Sequence, residues 1–173
     1  QDVKTGSASA RLIAGSEMTT PEGAWATFAR VSSPPMDLSS TQALGVWVKG
    51  DGKGEVLNFQ ILSPKHLTWG IGDHYVKVDF DGWRYFELIE PEGGGVHDYL
   101  WPYGHDIYGI YRENVNYSQV ETLSLWYNNL PPGDDVECLI SPIKALPAAR
   151  TKLVNPTIEL GGQRITFPVE IAT

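Results

Sequence analysis

Short runs of alternating apolar and polar residues, each closed by Gly, Pro, Asn or Asp, recur along this 173-residue chain, and helical periodicity is nearly absent. The pattern predicts strands over 7–14, 25–31, 43–49, 55–62, 74–80, 83–89, 121–128 and 136–143. Between them, Gly50-Asp51-Gly52-Lys53-Gly54 supplies glycines free to take positive φ, and Asp81-Gly82 is a tight hairpin signal. Pro131-Pro132-Gly133-Asp134 turns the chain again, and Ser63-Pro64 ends the fourth strand, because proline cannot donate to a ladder. Side chains of a strand point alternately to its two faces, so parity assigns the core. Leu44, Val46 and Val48 point inward, as do Leu57, Phe59 and Ile61, then Val76, Val78 and Phe80. Phe86 and Leu88 join them, with Leu123, Leu125 and Tyr127. Together these sets predict an all-β chain folded as a two-sheet antiparallel β-sandwich.

Two stretches break the pattern. Residues 90–116 are too long for a sandwich connection and carry Tyr99, Trp101, Tyr103, Tyr108 and Tyr111; long loops in compact domains are often functional. After Pro147, Ala148-Ala149-Arg150-Thr151 reads as a linker, and residues 156–168 as two short strands around Gly161-Gly162. A hairpin of that size cannot bury a core. The expected division is therefore a sandwich over 1–147 and, over 148–173, a linker and hairpin that begin a following domain or strap onto the first.

Composition narrows the functional classes. Thirteen basic residues against 21 acidic ones give a formal charge of −8, which argues against the clustered Lys and Arg of a nucleic-acid footprint. One cysteine, Cys138, excludes an internal disulfide and a Cys-rich zinc site. No apolar run is long enough to cross a bilayer as a helix. The chain opens on Gln1, without Met or an apolar leader, as expected of a processed protein or an excised fragment. Aromatic residues make up 11% of the chain, including six Trp and eight Tyr, and they are the excess that calls for explanation.

Parity places part of that excess on outer faces. Trp126, Asn128, Asn58, Gln60, Tyr75, Lys77 and Asp79 all point outward, and in a jelly-roll order the fourth, fifth and seventh predicted strands share a sheet, so these residues share a face. Trp47 and Tyr85 fall on the other. Aromatic rings stack on the C–H faces of sugars, while amide, carboxylate and ammonium groups bond the hydroxyl rim. The competing reading is a second small core, with Trp126 and Tyr75 covered by the long loop or the C-terminal hairpin. In the loop, Trp101 and Tyr103 would stack on a ligand while His105 and Asp106 bond hydroxyls; structurally, the same rings would anchor the loop. A metal or acid–base site built from His97, Asp98, His105 and Asp106 is the catalytic alternative, but their spacing matches no established ligand motif. No G-x-S-x-G occurs, Cys138 alternates with core residues, and Glu87 and Glu90 fall on opposite faces of one strand. Glu92-Gly93-Gly94-Gly95 lacks the Lys and Ser/Thr of a phosphate loop. Enzyme activity is not expected.

The segments Asp37-Leu38-Ser39, Leu44-Gly45-Val46-Trp47-Val48-Lys49-Gly50-Asp51-Gly52 and Leu57-Asn58-Phe59-Gln60-Ile61 resemble the early half of bacterial carbohydrate-binding modules of the galactose-binding-like jelly-roll type. Val78-Asp79-Phe80-Asp81-Gly82-Trp83-Arg84-Tyr85-Phe86 is similar to their middle hairpin. The resemblance covers roughly residues 5–147. It implies a noncatalytic sandwich attached to a polysaccharide-degrading protein, outside the cell, presenting a sheet face or a loop rim to a polysaccharide or oligosaccharide. Such modules often hold a structural calcium ion. Where relatives end the last strand in a hydrophobic-Asp-Asp-Ile signature, this chain reads Ile140-Ser141-Pro142-Ile143. The carboxylate is missing, and the spacing of Glu137, Asp2 and Glu17 does not demand a replacement site, so no calcium is assigned.

Overall fold

A computed structural model describes residues 3–21, 23–41, 43–64, 69–88, 112–113, 115–147, 157–160 and 163–166. The chain is a β-sandwich. One sheet contains β1 (Ala10–Ala14), β10 (Val136–Ile140), β3 (Ala43–Asp51), β7 (Asp81–Leu88) and β11 (Lys144–Leu146). Its path runs β1-β10-β3-β11, and β7 also pairs with β3. The other contains β2 (Trp25–Met36), β9 (Val120–Asn128), β4 (Val56–Pro64), β5 (Trp69–Gly72), β8 (Arg112–Glu113) and β6 (Tyr75–Lys77), which pairs with β4. Both sheets are antiparallel apart from the short parallel contact of β8 with β5. A separate two-stranded sheet pairs β12 (Thr157–Leu160) with β13 (Gln163–Thr166).

The core is the alternating set read from the sequence, apart from Leu123, which is only partly buried and stands outside the cluster. Leu57, Phe59 and Ile61 from one sheet and Val46 and Val48 from the other are at most 2% exposed, with Tyr127 at 0%. Val76, Val78, Phe80, Leu44 and Leu88 join the same buried cluster, and Phe86 and Leu125 pack against it. Cys138 also lies in this cluster. Burial of its thiol raises the pKa to about 12, so at neutral pH it is a small apolar group and not a nucleophile.

Strand boundaries depart from expectation where tertiary context overrides local signals. Asp81-Gly82 is not a hairpin: β6 and β7 belong to different sheets, and the turn carries the chain across the sandwich, with Gly82 at φ 78°. The Gly50–Gly54 turn is likewise a crossover from β3 to β4, with Gly52 at φ 77° and Gly54 at φ 86°. The strand expected over 74–80 shortens to Tyr75–Lys77. Val78 nonetheless stays tied down, donating to the Glu55 carbonyl (2.8 Å) and accepting from the Gly54 amide (2.9 Å). β2 continues past its expected end at Val31 through Pro34 and Pro35 to Met36, with a register irregularity between Val31 and Met36. Proline is tolerated there because β2 lies at a sheet edge, where its nitrogen owes no ladder bond.

Candidate functional site

The six-stranded sheet brings together the strands that parity placed side by side. Antiparallel register sets Asn58 between Trp126 of β9 and Tyr75 of β6, with Thr27 of β2 beyond Trp126. The adjacent row on the same face reads Trp25, Asn128, Val56 and Lys77, and on the other side Gln60 stands beside Ser124. Asp79 lies past the end of β6 and is exposed, as is Lys77. Trp101, Tyr103, His105 and Asp106, with His97 and Asp98, lie outside the described residues.

The polar members of this face are not bare. Asn58, Gln60, Ser124 and Asn128 are buried, each at 5% exposure or less. Burying an amide costs a few kcal/mol unless its donors and acceptors are met, and around Asn58 and Gln60 a network meets them. Asp73, buried just before β6, accepts from Asn58 Nδ2 at 2.7 Å and from Gln60 Nε2 at 2.9 Å, both through Oδ1. Those two bonds orient both amides. Asn58 Oδ1 then accepts from the His74 amide at 3.1 Å, and His74 Nδ1 donates to the Phe59 carbonyl at 2.9 Å. Gln60 Oε1 faces β9, accepting from Ser124 Oγ at 3.5 Å and from the indole Nε1 of Trp126 at 3.2 Å. Asn128 Oδ1 accepts no hydrogen bond among the described residues.

The result of this network is a positioned indole. With its Nε1–H held by Gln60, Trp126 stacks at a tilt on Trp25, their ring centroids 4.9 Å apart and their planes 50° apart. Such pairs contribute about 0.5–1.5 kcal/mol beyond their area burial. Trp126 is half-buried, and Trp25 is 48% exposed. The pair therefore forms an angular aromatic surface whose lower ring cannot swivel without breaking the part-buried bond to Gln60. Trp25 and Asp73 stand outside the set that strand parity picks out. Trp25 was readable, since it opens a strand and shares outward parity with Thr27; Asp73 was not, because it precedes a strand and its partners are set by register.

No group of three or more His, Cys, Asp or Glu side chains that could hold a metal occurs among the described residues. Glu137, considered above as a calcium stand-in, has its carboxylate engaged by Arg11 through two bonds of 2.8 and 2.6 Å. Neither a protein-family model nor a curated protein matches the chain.

Proposed function

We propose that this chain is a noncatalytic carbohydrate-binding module of a secreted or cell-surface glycan-degrading protein, taking a neutral polysaccharide at the Trp25–Trp126 surface. The observation that carries this reading is the fixed indole. Trp126 is tethered by Gln60 and angled against a half-exposed Trp25. A surface whose rings are already oriented loses little rotamer entropy on stacking with a sugar. Hydroxyl partners come from the rim of the face, where Lys77 and Asp79 are exposed; the Tyr75 hydroxyl is buried and is not among them. Affinity electrophoresis against soluble β-glucans, xylans and galactans tests it. Retardation on at least one is expected, weakened tenfold or more by Trp25→Ala and by Trp126→Ala, a loss of about 1.4 kcal/mol or more. Free migration through every gel would sink the reading.

One observation favours a second reading. Asn58, Gln60, Ser124 and Asn128 are sealed within the face and are not offered to solvent, as a sandwich that packs on a neighbouring catalytic domain without touching sugar would also have them. Under that reading Trp25→Ala leaves glycan migration unchanged and instead weakens association with the neighbouring domain.

A further inference from the structure

The outer face of the five-stranded sheet carries a second aromatic pair. Trp47 of β3 and Tyr85 of β7 stand opposite each other in register, their ring centroids 5.3 Å apart and tilted by 50°. Tyr85 is 37% exposed. Beside them lies a shallow depression of about 250 Å³, lined by Thr5, Gly45, Trp47, Tyr85, Ser141 and Lys144 among others. That volume falls below the ~300–1,000 Å³ of pockets for drug-sized ligands, which suits one sugar ring more than a long segment.

Each part of this depression has a structural cause. Gly45 has no side chain to fill it: a Cβ there would meet Tyr85 Oη at 2.5 Å and Leu146 Cδ1 at 3.0 Å. The phenol therefore reaches across β3 because position 45 is glycine. Ser141 is pinned from both sides, its Oγ accepting from the Trp47 amide at 2.9 Å and its own amide donating to the Trp47 carbonyl at 2.9 Å. Lys4 holds its ammonium 4.8 Å from the centroid of the Trp47 ring, a cation–π contact.

Charge sets the ligand class. The chain as a whole carries −8, yet the depression has Lys4 over one ring and Lys144 in its wall, and among the described residues no acidic side chain lines it. Glu87, across from Gly45 in the ladder, is not among the lining residues. We infer that the Trp47–Tyr85 depression is a second binding site, on the sheet opposite Trp25–Trp126, for a hexuronate unit of an acidic glycan. The ring stacks on Trp47 and Tyr85, the carboxylate is held by Lys4 and Lys144, and hydroxyls meet Tyr85 Oη and Thr5. The site does not depend on the neutral-glycan reading of the other face.

Titration of the full chain with trigalacturonate, and with the same oligomer fully methyl-esterified, tests this by calorimetry and tryptophan fluorescence. Non-specific attraction cannot mimic the result, since an acidic sugar is repelled by the net charge of the protein. The expected outcome is saturable binding of trigalacturonate that weakens as salt rises, and at least tenfold weaker binding of the ester. The double variant Lys4→Gln/Lys144→Gln and the single variant Tyr85→Ala each weaken binding tenfold or more, while Trp126→Ala leaves it unchanged. Loss in Trp126→Ala would move the acidic sugar to the other face and overturn the assignment. So would an absence of saturable trigalacturonate binding, or equal affinity in the double lysine variant. Failure of the neutral-glycan reading is seen separately, in the electrophoresis of Trp25→Ala and Trp126→Ala.

Discussion

Glu55 shows how one residue sets a property that the fold alone does not reveal. It immediately precedes β4, its side chain is fully buried, and neither carboxylate oxygen makes a well-formed hydrogen bond among the described residues. Burial first, and then the nearby charge of Asp51, push its pKa up to about 7. The sign follows from linkage: below the usual glutamate pKa both folded and unfolded states hold the proton, and the folded state is not penalised. Between there and about pH 7 the unfolded chain ionises while the folded one does not, so stability falls as pH rises; above about 7 the loss is complete. The displacement corresponds to a cost on the order of 3 kcal/mol. Glu55→Gln is expected to flatten the decline in unfolding free energy between pH 4.5 and 8, and to stabilise the protein at pH 8. Urea titrations at a series of pH values read this directly, and an unchanged pH profile in the variant would refute it. The Arg11–Glu137 pair behaves differently. Its side chains are 60% and 44% exposed, so despite good geometry solvent screens the pair and Arg11→Ala is expected to leave the urea midpoint essentially where it is.

Among elements, β4 is the strand on which both faces depend. Its inward Leu57, Phe59 and Ile61 sit at the centre of the core, while its outward Asn58 and Gln60 anchor the network under the Trp25–Trp126 surface. Gln60→Leu preserves volume and removes the amide, leaving the Trp126 indole N–H and one acceptor position of Asp73 unmet. A loss of about 1–3 kcal/mol is expected from those stranded groups, together with a looser Trp126 whose fluorescence anisotropy decay gains a fast component. A variant as stable as the parent, with an unchanged decay, would show that the network does not hold the ring. Period-two alternation made this strand legible from the sequence: Leu57, Phe59 and Ile61 point where parity puts them, and Asn58, Trp126 and Tyr75 fall in one row. What parity could not show was that the outward amides are sealed in, since it assigns a face and says nothing about cover. Nor could local signals separate a hairpin from a crossover. Asp81-Gly82 provides positive φ in either case, and only the pairing of β7 with β3 places the following strand on the opposite sheet.

For the whole molecule, the question is where the cooperative unit ends. The buried cluster draws on residues from Leu12 to Ile140, with Ile143 packed against it, and so spans both sheets of the sandwich. The last strand of that body is β11, which pairs Leu146 with Ala43 at the edge of the five-stranded sheet. Beyond it, β12 pairs only with β13 among the described residues. An isolated two-stranded hairpin is marginal in water, so it contributes little to the unfolding of the rest unless it straps onto the sandwich. Ending the chain at Pro147 distinguishes the two arrangements. All six Trp precede that point, so the shortened and full chains carry the same fluorophores and their urea transitions compare directly. If the sandwich is the whole folding unit, midpoint and slope agree within error, because the slope tracks the surface exposed on unfolding. A strap would instead bury sandwich surface, and its removal would lower both the midpoint and the slope; that outcome would refute a boundary at Pro147.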